Sequence, residues 1–119
     1  MGDIRLGEVE SKFADIIWNN EPLRPIELEK LAAAELKWKR TTTLTILKRL
    51  CERGIFQNKD RIITSLISRE EFYALQSEKF VNDTFGGSLP AFLTAFSSRK
   101  KLSETEIEEL KKVIERMRG

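Results

Sequence analysis

Histidine is absent from this 119-residue chain, and cysteine occurs once, at Cys51. Without histidine there is no imidazole to act as a general base or to activate a serine or cysteine nucleophile. One thiol leaves a structural zinc site three ligands short and forbids any disulfide within the chain. Sparse thiols and the lack of an apolar signal stretch point to a reducing cytoplasm. No apolar run approaches the roughly 20 residues that a membrane helix needs, so no membrane insertion is expected. Carboxylates are plentiful, yet no spacing forces a pair together, and there is no phosphate loop or metal cluster. The reading is therefore not an enzyme, with no cofactor and no metal. At 13.8 kDa, with 40% hydrophobic and 34% charged residues, the chain suits one compact domain, or two small lobes whose cores lean on each other or on a partner.

What is present is an uneven charge. The formal net charge is only +2. Residues 1–35 hold four basic against eight acidic side chains, and residues 62–119 hold nine of each. Residues 36–61 hold eight basic side chains against Glu52 and Asp60. All the excess positive charge thus lies in one short window, and such a concentration attracts phosphate whatever the sequence. A solvated face is the plain alternative.

Periodicity shows which elements carry that charge. Val9, Phe13, Ile16 and Ile17 mark an amphipathic helix that Asn19-Asn20 and Glu21-Pro22 stop. Pro25 opens a second, with Ile26, Leu28, Leu31 and Ala32 as its buried side. A third follows Trp38-Lys39-Arg40, capped by Thr41 or Thr42 and ended by Gly54. Thr43, Ile46, Leu47 and Leu50 form its core stripe. Two β-prone runs, Ile55-Phe56-Gln57 and Arg61 to Ile67, then flank a turn at Asn58-Lys59-Asp60. Helix, helix, helix, hairpin is the order of a winged helix-turn-helix, here predicted as a DNA-binding domain over residues 1–68. Residues 69–119 read as three further helices, so the fold class is mainly α. Ser68 with Glu71 and Ser103 with Glu106 have capping-box spacing.

The tail is the predicted dimerisation domain. Phe80, then Leu89, Phe92, Leu93 and Phe96, then Ile107, Leu110, Ile114 and Met117 form apolar stripes on helices too short to bury much alone. Those nine side chains are expected to form a homodimer interface, the alternative being that they fold back on the N-terminal lobe.

The run Thr42-Thr43-Leu44-Thr45-Ile46-Leu47-Lys48-Arg49-Leu50-Cys51-Glu52-Arg53-Gly54 resembles the recognition-helix signature of the penicillinase and methicillin-resistance repressors. Leu6-Gly7-Glu8-Val9-Glu10 with Ile16-Ile17-Trp18 resembles the start of that family. Phe85-Gly86-Gly87-Ser88-Leu89 and Leu102-Ser103-x-x-Glu106-Ile107-x-x-Leu110 resemble its tail. The resemblance implies a dimeric transcriptional repressor whose winged helix binds an inverted-repeat operator in double-stranded DNA, of β-lactam-resistance or related genes. It also implies a membrane sensor-protease as partner, cutting the repressor at an Asn-Phe bond. The matching position reads Ala95-Phe96, so the asparagine is lost. The C-terminal cysteine cluster of the copper-responsive branch is missing, and Thr43 stands where that signature has an apolar residue.

Short hydroxyls and forked guanidinium groups suit base edges and phosphates. Thr41, Thr42 and Thr45 are candidates for base or first-phosphate contacts, and Thr42, Thr45 and Arg49 match the signature. Arg49 either binds phosphate or forms an internal salt bridge. Lys39, Arg40, Lys48, Lys59 and Arg61 are candidate phosphate contacts. Trp38 reads as core packing, and Cys51 as an inert buried thiol. A protein-interaction winged helix, its basic face meeting an acidic protein, is the alternative function.

Overall fold

The computed structural model describes residues 6–119; the first five residues of the expected N-terminal domain lie outside them. The elements are α1 (Glu8–Asn20), α2 (Pro25–Leu36), α3 (Arg40–Glu52), β1 (Phe56–Lys59), β2 (Ile62–Ser65), α4 (Arg69–Phe85), α5 (Leu89–Arg99) and α6 (Glu104–Met117). This is a three-helix winged helix-turn-helix followed by three helices, as the periodicity predicts. Among the described residues no helix is long and apolar enough to cross a membrane. Two compact units result, one ending at Ser77 and the other Glu78–Gly119, with the division inside α4.

The first unit owns a core. Phe13 and Ile17 of α1, Leu28 of α2, Leu50 of α3, Phe56 of β1 and Ile63 of β2 are all fully buried in it. Burying one such side chain contributes about 1.5–3 kcal/mol. Phe72 of α4 joins them, which is why the unit runs past the end of the hairpin. Two expected core positions do not hold: Val9 and Ile26 are exposed. Ile26 lies two residues before Leu28, more than half a helical turn away, so the two cannot face the same way. Val9 stands in the first turn of α1, ahead of the buried stretch that begins at Phe13.

Capping follows local chemistry. Ser103 and Glu106 form a complete capping box on α6, and the Ser68 hydroxyl accepts the Glu71 N–H on α4. Backbone and side-chain hydrogen bonds from Ser103 hold the Glu106 carboxyl below its usual pKa. Gly54 ends α3 with φ of 81°, a conformation that costs glycine nothing. Ile55 N–H donates to the Leu50 carbonyl and Gly54 N–H to that of Cys51, the paired bonds of a Schellman motif.

The hairpin differs from expectation by a residue. Lys59 pairs with Ile62, so the turn is Asp60-Arg61 and both strands are four residues long. Both turn residues have positive φ, 55° and 61°. That is the pattern of a type I′ turn, whose twist matches a hairpin, but glycine usually occupies its second place. With arginine there, the turn carries no recognisable signature. A third segment also joins the sheet: Leu23, between α1 and α2, exchanges backbone hydrogen bonds with Ile63 at 3.3 and 2.8 Å. Beside it the half-buried Glu21 carboxylate accepts the Ser65 N–H at 2.7 Å and the Ser65 hydroxyl at 2.8 Å.

Glu21→Ala leaves the Ser65 N–H and hydroxyl without their acceptor, at an expected cost of about 1–3 kcal/mol. Urea denaturation of both proteins checks this; an unchanged midpoint would show that water replaces the carboxylate at no cost.

Candidate nucleic-acid interface

Helix α3 is anchored by one side and open on the other. Thr43, Leu47 and Leu50 are buried. Thr43 is accommodated there because its hydroxyl donates to the Lys39 carbonyl at 3.1 Å, within its own helix. That bond satisfies the hydroxyl of a threonine that stands in a buried position. Opposite them Thr41, Thr45, Lys48 and Glu52, spaced by four, three and four, form an exposed strip. Thr42 is exposed at the edge of that strip. Arg40 and Arg49 lie nine residues apart, which at 3.6 residues per turn sets them on opposite sides of the helix. Arg49, four residues after Thr45, lies beside the strip, whereas Arg40, seven residues before Leu47, projects from the first turn of the helix on its core side.

The start of α3 differs from that of the other helices. Neither Thr41 nor Thr42 caps it, contrary to expectation. The N-cap is Lys39, which makes no side-chain cap bond, and both threonines fall inside the first turn. The helix begins two or three residues earlier than a cap at Thr41 or Thr42 would require. In α1, α2 and α6 a glutamate of the first turn bonds back to the cap N–H, and serines cap α4, α5 and α6. Only α3 of the six has neither a side-chain cap nor an acidic residue in its first turn. The positive end of its dipole and its unpaired N–H groups are left to whatever anion approaches, with Lys39 and Arg40 beside them.

The remaining candidates separate. Lys39, Lys48, Lys59 and Arg61 are exposed. Arg40 Nε lies 3.1 Å from Glu29 of α2, and Arg49 Nη1 lies 3.6 Å from Glu10 of α1. For Arg49 the internal salt bridge is thus the arrangement in the protein alone. Trp38 packs on Phe13 with ring centroids 4.9 Å apart, which is core packing. Cys51 is half-buried in a groove with Leu44, Leu47, Lys48 and Asn58; burial, then Glu52, pushes its thiol pKa up, so little reactive thiolate forms. Among the described residues no group of three or more His, Cys, Asp or Glu side chains gathers as a metal site.

Two exposed polar residues of this region were not singled out from the sequence. Lys37, the left-handed residue at the end of α2 (φ 61°), sits in the turn that leads into α3. A glycine there would have signalled the turn. Asn58 shares the groove of Cys51 with Lys48 through the fold of β1 beside α3, and nothing local to either residue announces that neighbourhood.

A helix-turn-helix with an exposed cationic second element and a short hairpin wing places the chain in the class of winged helix-turn-helix regulators. The family model described as penicillinase repressor matches residues 6–116. The chain belongs to that family, one of transcriptional repressors rather than enzymes. It is 24% identical over 115 residues to the penicillinase repressor of Bacillus licheniformis, covering 93% of this chain and 90% of the relative. It is 26% identical over 113 residues to the methicillin resistance regulatory protein MecI of Staphylococcus aureus strain Mu50, covering 92% of each. The MecI protein of Mammaliicoccus sciuri is 25% identical over the same length, again with 92% of each chain covered.

The turn makes a stability prediction. Arg61→Gly relieves a left-handed arginine, so stability should rise by up to about 1 kcal/mol. Thermal or urea unfolding measures it, and a loss of stability would mean that the Arg61 side chain contributes more to the wing than its backbone strain removes.

Proposed function

We propose that the chain represses transcription as a homodimer on an inverted-repeat operator, with one α3 entering the major groove at each half-site. The observation that carries the DNA reading is the uncapped, acid-free start of α3 leading into its open strip. A recognition helix offers its N-terminal residues to base edges and its flanks to the backbone. Thr41, Thr42 and Thr45 then read bases or the first phosphate. Lys39, Lys48 and the wing residues Lys59 and Arg61 grip phosphates, which position the protein without reading sequence. Arg49 borders that contact beside Thr45, and Arg40 stands at the start of the helix. A cytoplasmic location follows from the role.

The homodimer is supported by the second unit. Not one residue from Glu78 to Gly119 is buried. Phe80, Phe85, Phe92 and Phe96 touch ring to ring at 5.7–6.2 Å, yet Phe80 and Phe96 remain exposed. Leu89, Ile107, Ile114 and Met117 are exposed too, as is Val113, which the stripe count omits. Leu93 and Leu110 line an apolar groove of about 330 Å³ between α5 and α6 with Phe92, Phe96, Leu102 and Val113. A second copy of the same surface would cover these side chains and supply the missing core. A sensor-protease aimed at Ala95-Phe96 would meet two exposed residues in the body of α5, so that helix must open before it is cut.

Two measurements test this reading. A duplex bearing an inverted repeat, its half-sites about one helical turn apart, is expected to bind far more tightly than a scrambled duplex at the same salt. Equal gel-shift titrations for both would sink sequence-specific repression, and failure to bind any duplex would favour a protein partner. Independently, Phe92→Asp and Leu110→Asp put a charge into the apolar surface and are expected to give monomers by sedimentation. Intact dimers in both variants would move the interface elsewhere.

A further inference from the structure

Two guanidinium groups of α3, Arg40 in its first turn and Arg49 beside the exposed strip, are already occupied. Arg40 is held by Glu29 of α2, and Arg49 by Glu10 of α1. In each pair the carboxylate is the sheltered partner. Glu29 is 13% exposed against 72% for Arg40, and Glu10 is 22% exposed against 56% for Arg49. The carboxylates are therefore the fixed points, and the arginines are the ends that can swing into solvent. Arg40 stands at the start of α3 and Arg49 along the edge of the strip, so each of these two places is closed by a carboxylate from a neighbouring helix. A helix in the major groove meets phosphates at its N-terminal end and along its flanks.

We propose that Glu29 and Glu10 are specificity-determining residues of the DNA interface. They hold Arg40 and Arg49 away from phosphate until base contacts along the strip seat α3 fully in the groove. This role presupposes that α3 is the DNA-binding helix. Affinity for arbitrary DNA comes almost wholly from phosphate neutralisation, so each arginine kept on a carboxylate subtracts from it. In a loosely seated complex, one phosphate contact merely replaces one carboxylate contact. In a fully seated complex the arginine meets phosphate at close range, where a forked, bidentate bond forms. The exchange then favours DNA. A glutamine in place of either glutamate keeps a polar side chain of the same shape, so the substitution changes the charge at the interface more than the packing. Glu29 is the cleaner probe, because Glu10 also accepts the Gly7 N–H at 3.3 Å and lies 3.9 Å from Arg53 Nη1.

The test compares a random duplex with one that the wild-type protein selects from a random pool, across a salt series. Glu29→Gln is expected to tighten random-duplex binding roughly three- to tenfold, with a salt slope steeper by about one. The selected duplex should gain less, and both gains should vanish in an Arg40→Gln background. Arg40→Gln alone keeps Glu29 in place. It should leave random-duplex affinity within about twofold while weakening the selected duplex. The proposal is overturned by unchanged or weaker random-duplex binding in Glu29→Gln. It is overturned equally by the same gain without Arg40, or by an Arg40→Gln loss of the same size on both duplexes. Wild-type protein that binds no duplex even at low salt would instead overturn the DNA reading of α3.

Discussion

The indole of Trp18 joins three parts of the chain that are far apart in sequence, and the arrangement of the first unit depends on it. Its ring lies 5.2 Å from Phe56 of β1, 5.7 Å from Phe72 and 6.1 Å from Tyr73 of α4. Its N–H donates to the Ile67 carbonyl at 3.0 Å, in the segment between the wing and α4. A large ring with one polar edge can do this because packing and a directed hydrogen bond act together. Arg69 adds an ion pair to Asp15 at 2.8 Å and stacks over Tyr73, and the Asp15 contact raises the Arg69 pKa. With α1, the hairpin and α4 tied at this point, the wing has a fixed root.

On that scaffold α3 is constrained from one side only. Its core residues pack against α2 and β1, while Thr41, Thr45 and Lys48 are exposed. A helix held in this way presents a surface whose composition is not constrained by packing. The charge imbalance of residues 36–61 acquires its meaning here. Part of the positive charge lies open on Lys39, Lys48, Lys59 and Arg61, and part is matched by acidic residues drawn from the negatively charged first 35 positions. The opposite charges of the two segments are thus partners within one domain.

The second unit obeys a different constraint. Helices of 11 and 14 residues with one apolar face each cannot enclose that face between them. Its phenylalanines meet mostly edge to face, and Phe80 and Phe96 still remain open to water. This unit therefore lacks the enclosed core that the first unit has.

Most helices, their caps and the sides they bury were legible in the sequence. Ser103 with Glu106, Ser68 with Glu71, and Gly54 act within a few residues of themselves, so their spacing is enough to read them. Thr43, Leu47 and Leu50 follow the same local period. Exposed Thr41, Thr45, Lys48 and Arg49 were legible as the other face of that period, and the apolar tail as stripes without a core. The misses share one cause. Glu29 opposite Arg40, Glu10 opposite Arg49, Leu23 beside Ile63 and Glu21 under Ser65 are pairs whose members come from different elements, and no local spacing encodes them. The wing turn was displaced because an arginine took the left-handed place at which glycine would have signalled. The sequence by itself determined which faces exist, because the helical period is a property of neighbouring residues. Only the tertiary structure decided which arginines are held and which are open, because a salt bridge between helices depends on where folding brings the second helix.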